Sequence, residues 1–380
     1  MTLQLVTGPT NASKAGVVLG LVRRWGAENR SPVLVVPTGP DADRYRRELL
    51  RVSGGVAVGV TVGTSARLTE LVRRAVGIPA ATLGPLARER LLATALSAVP
   101  PGRPLGRTAD RPGVRRRLDG LLEELAERGF GPEQLHDDLQ RLDPVEHGVD
   151  GQLVDDLRAV LEGVASASAG LVDGQGHPLP SPAAQARAVR LRLAGEPGLW
   201  AGRPVAFYGF DDLTFAQLAL VRTLARAADV VVSLPHEDDR VATSARREVV
   251  AELRAVASES AGRAQGSTGA LPLTAGSPEL REVAIAALRT HEVALAPPGG
   301  EGGRGRLERR LFEPRGDDDG PAPDATLDDV VLVEGGSARA EAEALADELL
   351  AAVDELALEW HDVAVAVREA AGPAGARLER

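Results

Sequence analysis

The sequence predicts an α/β protein: a parallel sheet, an all-helical subdomain inserted into it, and the start of a second α/β domain. Three observations carry this. Strand and helix patterns alternate three times between residues 2 and 77. Only helical patterns occupy residues 83 to about 196, after which strand patterns return at 203 and again from about 327. Alternation of this kind favours a parallel sheet, whose strands need crossover helices between them.

The elements follow in order. TLQLVT (2–7) reads as a short buried strand, and an apolar-periodic helix over 14–26 follows a loop of Gly, Pro, Asn and Ser. SPVLVVPT (31–38) is a second strand, leading to a helix with Asp41 near its start, where a carboxylate complements the helix dipole. VAVGVTVGT (56–64) is a third strand, and the helix after it has Ser65 as its expected N-cap and Gly77 closing it. Helices are expected at 83–99, 112–129, 131–141, 150–170 and 181–195, with a Pro/Gly/Arg loop at 100–113. RPVAFYGF (203–210) and DVVVSLP (229–235) are strands flanking a helix at 214–227. Residues 255–278 and 294–325 are rich in Gly, Ser, Ala, Pro and Asp and read as mobile loops or linkers around an amphipathic island at 304–314. A final strand–helix–strand pattern spans LDDVVLVEG, SARAEAEALADELLAAVDEL and HDVAVAVRE. The expected divisions are 1–82 and 201–254 for the two parts of the first domain, 83–200 for the insertion, 255–325 for the linker-rich segment and 326–380 for the start of the second domain.

Composition narrows the chemistry. The chain has no cysteine, so disulfides, thiolate metal sites, iron–sulfur clusters and a cysteine nucleophile are excluded within these residues. Its six histidines have no ligand-type spacing, and no metal site is expected. The N-terminus lacks the basic start and apolar run of a signal peptide, and no run approaches the roughly 18 apolar residues of a membrane span. A cytoplasmic protein without membrane contact is therefore expected. Net charge is −10, which gives no global signal for nucleic acid. The local exception is 103–117, with Arg103, Arg107, Arg111, Arg115, Arg116 and Arg117 against the single acid Asp110. These arginines are the candidate contacts to DNA phosphates, against the plainer reading of a solvated loop in an arginine-rich chain.

Lys14 is the only lysine; every other basic position is Arg. It stands in GPTNASKA (8–15), which matches the phosphate-loop pattern G-x-x-x-x-G-K-[ST] at Gly8 and Lys14 with the right spacing, after a strand and at the start of a helix. Loop amides and a helix N-terminus hold phosphate oxygens, and a compact ammonium reaches the outer phosphates better than a planar guanidinium. Gly8, Thr10, Asn11, Ser13 and Lys14 are thus the candidate nucleotide-binding residues. Two positions depart from the pattern. Ser13 replaces the second Gly, and Ala15 replaces the hydroxyl that would bind Mg²⁺.

VAFYGFDDLTFAQ (205–217) resembles the second motif of superfamily 1 DNA helicases, D-E-F-Q-D-T-x-x-x-Q, with Phe210, Asp212 and Gln217 on the F, the second D and the Q. The catalytic acid pair then falls on Tyr208 and Gly209, which cannot hold Mg²⁺ or activate water. A rival alignment makes Asp211 and Asp212 the acidic pair. The C-terminal pattern looks like the start of the second helicase domain, with Arg368 at the arginine expected near the phosphates and Val367 where an adenine-stacking tyrosine is expected.

The order and spacing of these segments resemble the AddB-type subunit of bacterial helicase–nucleases over nearly the whole chain. That resemblance implies a P-loop (RecA-like) core with decayed motifs and a DNA-facing helical insertion. It also implies a role in DNA double-strand break repair and recombination beside an active helicase–nuclease partner, with ATP bound but not hydrolysed. Members carry a PD-(D/E)XK nuclease domain and four iron–sulfur cysteines, which would sit beyond residue 380; the activity of these residues alone stays open. The alternatives are a non-enzymatic scaffold and an active P-loop ATPase using Asp211 and Asp212.

Overall fold

The computed structural model describes residues 2–9, 12–52, 59–128, 130, 132–144, 146–177, 179–261, 273–274, 292–296, 331–360 and 363–365. The chain divides into two units, Met1–Pro298 and Gly299–Arg380.

The first unit is α/β. Its strands are β1 (Leu3–Thr7), β2 (Val33–Val35), β3 (Thr61–Gly63), β4 (Gly202–Phe207), β5 (Ala228–Ser233), β6 (Leu273–Thr274) and β7 (Glu292–Ala296), in the order β3-β2-β4-β5-β1-β7-β6. Every pairing between them is parallel. Helices α1 (Lys14–Ala27), α2 (Gly39–Val52), α3 (Ser65–Ala75), α9 (Phe215–Ala225) and α10 (Arg247–Ala261) belong to this sheet. Strands of such a sheet are covered on both sides, so alternate residues enter different cores. Leu3, Leu5, Val35, Val205, Phe207 and Val232 pack with Leu68 and Val72 of α3, Val221 and Leu224 of α9 and Val250 and Leu253 of α10. Val6, Leu34, Ala206 and Val231 pack instead with Val17, Val18 and Val22 of α1 and Leu49 of α2.

Between β3 and β4 come α4 (Pro85–Ser97), α5 (Pro112–Arg128), α6 (Pro132–Arg141), α7 (Gly151–Ala169) and α8 (Pro182–Gly195), within a residue or two of the expected bounds at each end. Leu92 and Leu96 of α4, Leu118 of α5 and Val160 of α7 form a core of their own. Gly163 allows α7 to approach α4: a β-carbon there would lie 2.9 Å from the Ala95 backbone. Arg88 holds Asp119 through two hydrogen bonds of 2.9 and 3.1 Å, tying α4 to α5.

Three expectations change. The third strand is three residues long among the described residues, shorter than 56–64. Part of α10 and all of β6 fall inside 255–278, and β7 runs to Ala296, so these stretches are not simply linker; strand pairing across the sheet decides them and composition does not reveal it. In the second unit, α11 (Ala338–Glu355) forms as expected, but 331–335 and 363–365 are not strands. A strand exists only through its neighbours, and the described residues of this unit offer none. Among the described residues no helix is long and apolar enough to cross a membrane.

Candidate functional site

In open parallel sheets, ligands collect outside the carboxyl ends of the strands. The segments after β1, β4 and β5 gather there. The loop after β1 is fastened to the segment after β5 by an antiparallel bridge: the Gly8 amide donates to the His236 carbonyl at 3.0 Å, and the His236 amide donates to the Gly8 carbonyl at 3.2 Å. The helix α1 then opens at Ser13, which takes a left-handed conformation at φ 54° and makes no side-chain cap. Glycine reaches that conformation without strain and serine does not. Ser13 therefore holds a backbone conformation natural to glycine, at some energetic cost.

Lys14 is buried, with 5% of its surface exposed. Its ammonium donates to the Gly8 carbonyl at 3.0 Å and to the Pro9 carbonyl. Burial pulls its pKa down to about 8; the Glu237 carboxylate opposes this and the Arg246 guanidinium adds to it. The cation thus sits on carbonyls of its own loop. Two further buried polar atoms in the neighbouring strand and segment have no hydrogen-bond partner among the described residues, Ser233 Oγ and His236 Nδ1. The other ring nitrogen of His236 lies 3.0 Å from Asp238, which Arg254 grips with two bonds of 2.9 and 3.0 Å. These neighbours hold the Asp238 carboxyl down at about 2, the Arg254 hydrogen bond being the largest cause.

Past β4, the positions aligned with the helicase acid pair hold Tyr208 and Gly209. The Tyr208 amide donates to the Val35 carbonyl at 2.9 Å, and its ring meets Tyr45 edge-on at 5.2 Å between centroids. Burial, with Tyr45 beside it, pushes the Tyr208 hydroxyl pKa well above the ordinary tyrosine value, outside the range in which it could serve as a base at neutral pH. Gly209 is left-handed at φ 83°, and a β-carbon there would lie 3.4 Å from the Pro37 ring. A carboxylate-bearing residue at that position would be strained. Asp211 is exposed, and Arg246 binds its carbonyl and lies 3.7 Å from its carboxylate. Asp212 accepts the Leu213 amide at 2.8 Å. Gln217 completes a capping box with Thr214 and donates to Ser65 Oγ at 3.0 Å, joining α9 to the start of α3. Neither aspartate is among the charges that move the Lys14 pKa.

Gly8, Ser13 and Lys14 are therefore brought together, while Thr10, Asn11, Val367 and Arg368 lie outside the described residues. The six arginines divide. Arg103 places Nε 2.6 Å from the buried Asp156 carboxylate, and Arg115 donates to the Ala109 carbonyl at 2.9 Å with Glu89 3.5 Å away. Arg107 donates to the Gly102 carbonyl at 3.0 Å. Arg111, Arg116 and Arg117 are exposed at the start of α5, without a side-chain partner among the described residues. His236, Ser233, Glu237 and Arg246 were not singled out by sequence. They carry no motif, and only the pairing of β5 with β1 brings them to the loop.

Ala15 brings no hydroxyl to the start of α1, and among the described residues no group of three His, Asp or Glu side chains comes together as a metal site. No family model matches this chain, and no curated protein matches it significantly.

Proposed function

We propose that this chain is a helicase-like, DNA-binding subunit whose P-loop core has lost ATP hydrolysis, and that it works in DNA double-strand break processing beside an active helicase–nuclease partner. The observation that carries this reading is the pairing of a retained lysine with a missing acid. Lys14 is buried at the carboxyl end of a parallel sheet where a helix begins, while the end of β4 holds Tyr208 and Gly209. A phosphate would be held by Lys14 and the first amides of α1, with Ser233 and His236 as nearby polar groups. Hydrolysis needs in addition a carboxylate to organise Mg²⁺ and another to activate water. Arg111, Arg116 and Arg117 would contact the DNA backbone.

Calorimetric titration with ATP, with and without Mg²⁺, tests the nucleotide arm. Saturable binding that is lost in Lys14→Ala, insensitive to Mg²⁺ and without phosphate release, is the expected result. A Mg²⁺-dependent turnover lost in Lys14→Ala overturns it and favours an ATPase using Asp211 and Asp212. DNA binding that weakens in the triple variant Arg111→Gln, Arg116→Gln, Arg117→Gln, with a shallower salt dependence, tests the other arm.

One observation favours a second reading. The Lys14 ammonium is already engaged by the Gly8 and Pro9 carbonyls. A scaffold that binds no nucleotide would use its lysine in this way, as a clasp for its own loop. Absence of any ATP or ADP binding, with reduced stability in Lys14→Ala, identifies that case.

A further inference from the structure

At the other end of the sheet, the amino ends of β2, β3 and β4 surround a shallow pocket of about 760 Å³. Its lining includes Arg30, Arg203, Asn29, Ser31 and Thr61, and no carboxylate. Arg203 is fixed at several points. Its carbonyl accepts the Trp200 indole N–H at 2.7 Å, its Nε donates to the Ser31 carbonyl at 3.2 Å, and its guanidinium lies 5.0 Å from the centre of the Trp200 ring. Its two terminal nitrogens have no partner among the described residues, and burial lowers its pKa with no acidic group opposing the shift. Arg30 differs: it is 2.5 Å from Asp229 and stacks on Trp25. The backbone that shapes the pocket is unusual. Asn29, Ser31 and Ala201 are left-handed at φ 57°, 50° and 56°. Asn29 closes the end of α1, where the Arg30 amide returns to the Trp25 carbonyl at 2.9 Å, so its conformation is an ordinary helix stop. No helix end accounts for Ser31, and its carbonyl is the one that holds Arg203.

We propose that this pocket is a phosphate-binding site, read by the uncommitted fork of Arg203. A planar guanidinium held at Nε and stacked on an indole offers its two free nitrogens to one oxyanion with little further loss of freedom. A half-buried cation without a counter-charge gains most from a ligand that brings one. The same chemistry could come from a free phosphate ester or from a nucleic-acid backbone. The site is separate from the Lys14 loop and does not depend on the function proposed above.

The test uses the full chain and titrates inorganic phosphate by calorimetry. Arg203→Lys keeps the charge and removes the fork; Asn29→Asp adds a carboxylate at an exposed position of the lining that tolerates a left-handed backbone. Each is expected to weaken phosphate about tenfold or more, the worth of roughly one charge-assisted hydrogen bond, whereas Lys14→Ala leaves this binding in place. A single-stranded oligonucleotide that competes with phosphate, and loses affinity in both variants, makes the source a nucleic-acid backbone; failure to compete makes it a small phosphate ester. No saturable phosphate binding, binding unchanged in Asn29→Asp and Arg203→Lys, or binding lost only in Lys14→Ala overturns the proposal.

Discussion

Two stretches of this chain carry the same written pattern of strand, helix and strand, and they end in different states. In the first, β1, α1 and β2 are enclosed: Val6, Val17, Val18, Val22 and Leu34 share one core. In the second, α11 has no buried residue, and Leu332, Leu350 and Leu356 are 90%, 53% and 67% exposed. Helix formation survives the difference because its hydrogen bonds are internal and Ser337 caps the first turn. The described residues of its strand patterns, 331–335 and 363–365, form no strand, because strand bonding partners must come from elsewhere. Local pattern thus suffices for the helix of a βαβ unit, and the surrounding sheet is required for its strands.

The largest expected effect tests this contrast directly. Phe207→Ala, in a fully buried position, should lower unfolding free energy by about 3 to 5 kcal/mol, whereas Leu350→Ala in α11 should leave the main denaturant midpoint unchanged. An equal effect of the two would mean that α11 is packed after all. A smaller effect concerns Lys14. A lysine whose pKa falls from 10.5 to about 8 on folding makes the native state bind fewer protons between those values. Stability therefore rises as pH increases through that window, by an amount on the order of 3 kcal/mol. The difference between the wild type and Lys14→Met should contain this rise. Because the chain has a single lysine, selective isotope labelling gives one side-chain signal, expected to titrate near pH 8; a midpoint at the ordinary lysine value would place the ammonium in solvent.

Caps extend the comparison to smaller energies. Thr214→Ala removes the capping box of α9 inside the sheet unit and should cost about 1 kcal/mol of global stability. Ser337→Ala removes the cap of α11 and should reduce helicity by circular dichroism without moving the cooperative transition. A shift of the main transition by Ser337→Ala would again argue for packing of that helix.

Most of the helices were legible from periodicity and caps. The five of the insertion, α4 to α8, and α9 behind Thr214 match their expected spans closely. Short strands were less so, since β3 and β6 hold three and two residues and owe their pairing to neighbours distant in sequence. The candidate site divides in the same way. Gly8, Ser13 and Lys14 lie within one loop, so spacing could find them. His236, Ser233, Glu237 and Arg246 reach that loop only because β5 lies against β1. The fork of Arg203 likewise depends on Ser31, which is remote in sequence and meets it across the ends of β2 and β4.

By itself, then, the sequence determined the alternation of elements, the helical insertion, the single lysine after the first strand and the absence of a carboxylate at Tyr208 and Gly209. These are properties of composition, period and local spacing. Tertiary structure decided the strand order, the burial of Lys14 on its own loop carbonyls, the internal engagement of Arg103 and Arg115, and the pocket at Arg203. Each of those depends on which groups meet across the fold and on how much water is left between them, and neither quantity is written in a local stretch of chain.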